Sequence, residues 1–240
     1  MWKNINLDKC LSYINCQLSP EVKSPPVIKP CVTISRMCGA GGRTVASKLA
    51  EYLQTRLPAA CGWAVFDKNL IEKVLEDHHL SKRIAQFVPE GHKSLLEDTL
   101  EDLLGLHPPT ALLVKQSSET IWNLAEKGNV ILVGRGANVV TGKLATAFHV
   151  RLVGTVEKRI ARLMEVYDFD HANAREFLKV QDASKKRYLK DHFNRDIDDP
   201  LLYHMVINTD GISYENAARL IGDTMICRFN LAANAEPKTS

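Results

Sequence analysis

The chain has 240 residues, 45% of them hydrophobic, enough for one large or two small domains with a filled core. Its formal net charge of +3 is too small for a protein whose main task is neutralising a nucleic-acid backbone, so any anion site is expected to be local. No stretch approaches the about 20 apolar residues of a membrane span, and Met1-Trp2-Lys3-Asn4 does not open a secretory leader. The expected location is therefore the cytoplasm, with neither nucleic acid nor membrane as a partner.

Ile5, Cys10, Leu11, Ile14 and Leu18 form a rough helical stripe, and the proline-rich stretch from Ser19 to Pro30 cannot continue a helix. Residues 1–30 read as a helical appendage with a linker. The stripe is expected either to pack on its own domain or to dock on a partner, self-association included. The six cysteines (Cys10, Cys16, Cys31, Cys38, Cys61, Cys227) contain no C-x-x-C pair and no Cys/His zinc spacing, so reduced and mostly buried thiols are expected.

From Cys31 the pattern alternates. Cys31–Ser35 is a short β-type run, broken by Gly39-Ala40-Gly41-Gly42, and a helix begins near Arg43 with Ala46, Leu49, Ala50 and Leu53 on one face. Trp63–Phe66 is a second strand ending at Asp67. Helical patterns follow at 68–76, 94–104 and 110–127. Val130–Val133 is apolar at every position, which suits a parallel strand buried on both faces. Phe148–Val153 and His204–Ile207 are two further strands, separated by charged helical segments over 156–167 and 172–192, and a last helix spans about 214–229. Strands alternating with helices predict an α/β fold of three α/β/α layers around a mostly parallel five-stranded sheet. Residues 31–230 form its domain, and 231–240 a tail.

The loop Gly39-Ala40-Gly41-Gly42-Arg43-Thr44 between strand and helix carries the strongest chemical signal. A phosphate needs backbone N–H groups at close range, which small residues permit, and a helix N-terminus adds a favourable dipole. Thr44 offers a hydroxyl to a magnesium ion that accompanies ATP, and Arg43 a cation. The match to G-x-x-x-x-G-K-[ST] is imperfect. In one register Arg43 replaces the lysine and Met37 the first glycine; shifted by one, Gly42 itself stands where lysine belongs. The bland alternative is a glycine-rich turn without a ligand.

Ligands of open α/β sheets sit beyond the carboxyl ends of the strands, where Arg36, Asp67 and Arg135 should lie. A guanidinium between Gly134 and Gly136 suits a phosphate fork better than a surface salt bridge. Asp67 either contacts an acceptor or caps the next helix. The late basic residues, Arg159, Arg162, Arg175, Lys179, Lys185, Lys186, Arg187 and Lys190, are interleaved with acids; singly each reads as a solvated helix face, collectively as a cover that closes over phosphates. The histidines have no metal or triad spacing.

These residues resemble a known family. Val32-Thr33-Ile34-Ser35-Arg36 followed by Gly39-Ala40-Gly41-Gly42-Arg43, then Phe66-Asp67-Lys68-Asn69-Leu70-Ile71, Val133-Gly134-Arg135-Gly136, and Asp199-Pro200-Leu201-Leu202-Tyr203 through Asn208-Thr209 are similar, in order, to elements of the cytidylate-kinase-like family. The resemblance implies a P-loop nucleoside monophosphate kinase fold with a helical acceptor-binding segment and a lid, and transfer of the γ-phosphoryl of ATP to CMP or dCMP with Mg2+. It implies donor phosphates at Gly39, Ala40, Gly41, Gly42, Arg43 and Thr44, with Thr44 toward the metal. Arg36, Asp67, Arg135 and Lys185 would face the acceptor, and Arg43, Arg159, Arg162 and Arg187 would neutralise the transferring group, with Asp182 and Tyr188 in the same lid helix. Two departures stand out: the loop lysine is lost, and the aspartate that follows G-R in cytidylate kinases is Gly136. The alternative is a catalytically weak nucleotide-binding regulator of the same fold.

Overall fold

The computed structural model describes residues 5–17, 28–77, 84–85 and 109–231. In chain order the elements are α1 (Ile5–Gln17), β1 (Cys31–Arg36), α2 (Gly42–Arg56), β2 (Ala64–Asp67), α3 (Lys68–Glu76), α4 (Pro109–Lys127), β3 (Val130–Val133), α5 (Ala137–Val140), β4 (Ala147–Val153), α6 (Val156–Tyr167), α7 (His171–Phe193), β5 (Met205–Asn208) and α8 (Tyr214–Arg228). The helix expected over 94–104 and four of the histidines (His78, His79, His92 and His107) lie outside the described residues.

The five strands make one parallel sheet in the order β2-β3-β1-β4-β5. Val130 and Leu132 of β3 point into one core with Phe66, Ile71, Trp122 and Phe193, while Ile131 and Val133 point into the other with Ile34, Val45, Leu49, Ile221 and Met225. That two-sided burial is why β3 is apolar at every position, and it makes three α/β/α layers. A third, small cluster (Ile160, Leu163, Ala174, Leu178) binds α6 to α7 and carries Cys38 of the loop after β1 at its edge.

Helix α1 spends its stripe within the chain. Cys10, Tyr13 and Ile14 are buried in the first core, and the Tyr13 hydroxyl donates to the Gly128 carbonyl at 2.5 Å. Residues 5–17 are thus built into the 31–230 unit, and nothing supports α1 as a self-association element. The expectation of uniformly reduced thiols is corrected: Cys16 and Cys61 form a disulfide that ties the end of α1 to the turn before β2, whereas Cys10 and Cys31 are free and buried. The partners are 45 residues apart in sequence, and only the return of the chain onto β2 brings them together.

His149, in the middle of β4, is buried, accepts or donates at Thr33 Oγ1 over 2.9 Å, and stacks on His204 at 4.8 Å. Burial, then the charges of His204 and Arg228, push its pKa down to about 3. A lowered histidine is neutral in the folded chain while its unfolded counterpart, near 6.5, takes up a proton; stability is therefore complete above about pH 6.5 and falls as pH drops toward 3. The expected slope is about 1.4 kcal/mol per pH unit from this group. Urea unfolding at pH 7.5 and pH 5 checks it, and His149→Asn should flatten the dependence; an unchanged slope in that variant refutes the assignment.

Candidate active site

The site assembles beyond the carboxyl ends of β1 and β3, which are neighbours in the sheet. After Arg36 the chain turns through Met37 to Gly41, with Gly41 in the left-handed region at φ 79 as the N-cap of α2. An alanine there would be strained and would also overlap the Tyr214 ring, so glycine is required on both counts. The first intrahelical bond of α2 runs from Val45 N to Gly41 O at 2.9 Å. The amides of Gly42, Arg43 and Thr44 precede it and form the N-terminal end that an anion can use.

The two helices α6 and α7, expected to form a lid, lie against this loop. Arg159 of α6 is buried, donates through Nε to Gly154 O at 2.9 Å and through Nη1 to Cys38 O at 3.2 Å, and pairs with Asp182 of α7 at 2.5 Å. Asp182 in turn accepts from the Cys38 amide at 2.6 Å and from Lys185 at 3.2 Å. Arg162 reaches toward Thr44 Oγ1 at 3.5 Å, lies over the Tyr214 ring at 5.4 Å and pairs with Glu165. Arg159 therefore clamps the loop's outer side, and Arg162 is the lid arginine nearest the head of α2. Arg187 is exposed on another face of α7 and borders neither cavity described below.

A cavity of about 140 Å³ opens beside the loop, between the ends of β1 and β3 and the α7 face. Its cations are Arg36, Lys68, Arg135 and Lys185; its neutral polar groups include Ser35, Asn138, Ser184 and Tyr188, and among the described residues no carboxylate lines it. Arg135, with φ 55, sits between the glycines as expected, pairs with Glu72 of α3 and lies over the Tyr188 ring at 5.4 Å. Its Nε, Asn138 Nδ2 and the Tyr188 hydroxyl are buried without a hydrogen-bond partner among the described residues, three polar atoms that a ligand would satisfy. Burial lowers the pKa of Lys185 and raises that of Tyr188. A second cavity of about 190 Å³ shares Arg36 and Lys185 and adds Arg151, Asp182 and Asp198.

Asp67 serves two ends. It caps α3 by accepting from Asn69 N and Leu70 N, and its other oxygen holds Arg43 Nε at 2.7 Å. Arg43, 56% exposed, is thus engaged away from the loop amides. The missing aspartate at 136 has a steric correlate: Gly136 has φ 68, and a Cβ there would stand 2.6 Å from Phe193 Cε2.

Sequence reasoning missed Glu72, Asn138, Asp198 and Tyr203 as neighbours of the site. Tyr203 bonds Ser35 Oγ at 3.3 Å and Ile197 O at 2.9 Å, and Arg151 joins Ser35 at 2.9 Å to Asp198 at 2.7 Å. The two partners of Arg151 lie 116 residues before it in β1 and 47 residues after it, which no spacing reveals.

A parallel α/β sheet with a glycine loop heading its first sheet-covering helix, and a cationic cavity beside it, defines a P-loop protein of the nucleotide-kinase kind. Residues 31–211 match the cytidylate kinase-like family, and the chain belongs to it. It is 23% identical to cytidylate kinase from Methanocaldococcus jannaschii over 196 residues, 81% of this chain and 96% of that protein. A 23% match over 125 residues to uronate isomerase from Corynebacterium glutamicum spans 52% of this chain and only 24% of that enzyme's length. Among solved structures, an uncharacterised protein from Eubacterium ventriosum superimposes with TM-score 0.61 at 19% identity, covering 85% of this chain and 99% of that one. That likeness concerns the fold. Among the described residues no helix is long and apolar enough to cross a membrane.

Proposed function

We propose that the protein is an ATP-dependent nucleoside monophosphate kinase that transfers the γ-phosphoryl of ATP to CMP or dCMP in the cytoplasm. The observation that carries the reading is the pairing of α2's N-terminal amides with a cavity lined, among the described residues, by four cations and no carboxylate, on adjacent strand ends. An acceptor phosphate oxygen forms the new bond to the γ-phosphorus while the bond to the β–γ bridging oxygen breaks, leaving ADP. What the chain contributes is positioning, charge neutralisation and exclusion of water. Arg135 and Lys185 hold the acceptor in the cavity, and Arg162 covers the head of α2. Asp67 acts on the acceptor only through the structure it supports.

A magnesium ion carried by the nucleotide keeps most of its waters and needs only one or two protein oxygens. Thr44 Oγ1 fits that demand. Asp67 is committed to its cap and to Arg43, and among the described residues no cluster of three His, Cys, Asp or Glu can hold an ion alone. The ion would shield the phosphates' charge.

Mg-ATP incubated with each of CMP, dCMP, UMP, AMP and GMP, with ADP formation as the readout, is expected to give turnover with CMP or dCMP above the others. ADP with a purine monophosphate alone would overturn the acceptor assignment, and none with any would overturn the kinase. The Asp182 carboxylate on the Cys38 amide supports a second reading, a nucleotide-binding regulator, whose signature is tight ATP binding without consumption.

A further inference from the structure

We infer that Arg36 is the cation of the phosphate loop, its side chain filling the space at the head of α2 that a side chain at position 42 would enter, and that Arg43 serves to shape the loop. The turnover part of this inference rests on the kinase reading; the polyphosphate-binding part does not. Its basis is a slot. A Cβ at Gly42 would lie 2.8 Å from Arg36 Cγ and 3.2 Å from Cδ, so the Arg36 stem already fills the space that a residue-42 side chain would enter. From the other side, a methyl group on Gly134 would overlap Arg36 Nη1. Two glycines on two different loops thus leave room for one arginine to pass between them, and its head stands where the loop after β1 meets the loop after β3.

Among the cations around the loop and its cavity, the electrostatics single out the same residue. Arg43, Arg135, Arg151, Arg159 and Arg162 each pair with a carboxylate: Asp67, Glu72, Asp198, Asp182 and Glu165 respectively. Arg36 has no ion pair among the described residues, although Asp67 and Asp182 act on it from a distance. Burial, then repulsion from Arg43, lowers its pKa, yet an arginine keeps its charge. A half-buried cation that opens onto a cavity without a fixed counter-ion is a ready partner for an anion. Arg36 borders both cavities, and beside free helix-terminal amides the anion that fits is a polyphosphate.

The test uses full-length protein with ATP binding by calorimetry and ADP formation read side by side. Arg36→Met keeps the stem that fills the slot and removes the charge. It is expected to unfold at or above the wild-type temperature, to weaken Mg-ATP binding about tenfold or more and to slow turnover about 100-fold. Arg36→Ala should lose as much, and Arg36→Ala combined with Gly42→Lys should regain at least about tenfold in binding, because the lysine re-enters the vacated space. A folded Arg36→Met protein that binds ATP as the wild type does overturns the inference. So does a folded double variant no better than Arg36→Ala. Wild-type protein whose ATP affinity depends on Arg36 but which makes no ADP would refute the kinase and uphold Arg36. Wild-type protein that binds no ATP refutes both.

Discussion

Asp182→Ala is expected to cost the fold about 3–5 kcal/mol, the penalty of leaving a buried guanidinium without its carboxylate. Arg159 is the guanidinium, its side chain 8% exposed, and Asp182 is itself largely covered at 28%. The same carboxylate also accepts from the Cys38 amide and from Lys185, so the substitution unties α7 from the loop and from α6 and takes away Lys185's partner within α7. Asp182→Asn keeps an oxygen acceptor for one of the three and should lose distinctly less. Urea unfolding at pH 7.5 measures both. A loss under about 1 kcal/mol for the alanine variant would mean that Arg159 finds water or another acceptor, and the clamp would have to be abandoned.

The second large effect concerns the departure from the G-R-D pattern. Gly136→Asp would supply the carboxylate that cytidylate kinases carry there. It is nevertheless expected to destabilise by about 2–4 kcal/mol, one part from a β-substituted residue at positive φ and one from overlap with the Phe193 ring. Phe193 is buried in the first core and has nowhere to retreat. Thermal unfolding reads the loss, and ADP formation with CMP should not rise. A variant as stable as the wild type, with faster turnover on CMP, would show that Phe193 yields and that the glycine is incidental.

Both expectations bear on how far a sequence can be read. The α/β alternation was legible because each strand carries its burial in its pattern: β3 is apolar throughout, and of the α2 face read as Ala46, Leu49, Ala50 and Leu53 all but the partly buried Ala50 are in the core, where Val45 joins them. Helix α5, a single turn after Arg135, gave no periodic signal and was missed. The loop after β1 was visible from its glycines, and Asp67 as a cap from its type. What escaped was the assignment of cations to partners. Arg43 read as the loop's cation because it stands next to Thr44, and the structure turns it to Asp67. Arg159 read as a lid arginine aimed at phosphate, and the structure sets it behind the loop on Cys38 O.

The amino-acid sequence by itself determined the class of fold, the place of the phosphate-type loop and the family, because local periodicity, turn chemistry and ordered short elements are carried by neighbouring residues. Only the tertiary structure decided which guanidinium beside the loop has no carboxylate partner among the described residues, which glycine makes room for a side chain rather than for a turn, and which cysteines pair. The cysteines pair over 45 residues and the glycine loop after β3 meets Arg36 from far along the chain, so each contact depends on how the loops and helices seat on the sheet. A charged side chain's role follows from its counter-charge and its desolvation, and neither is written in the residues beside it.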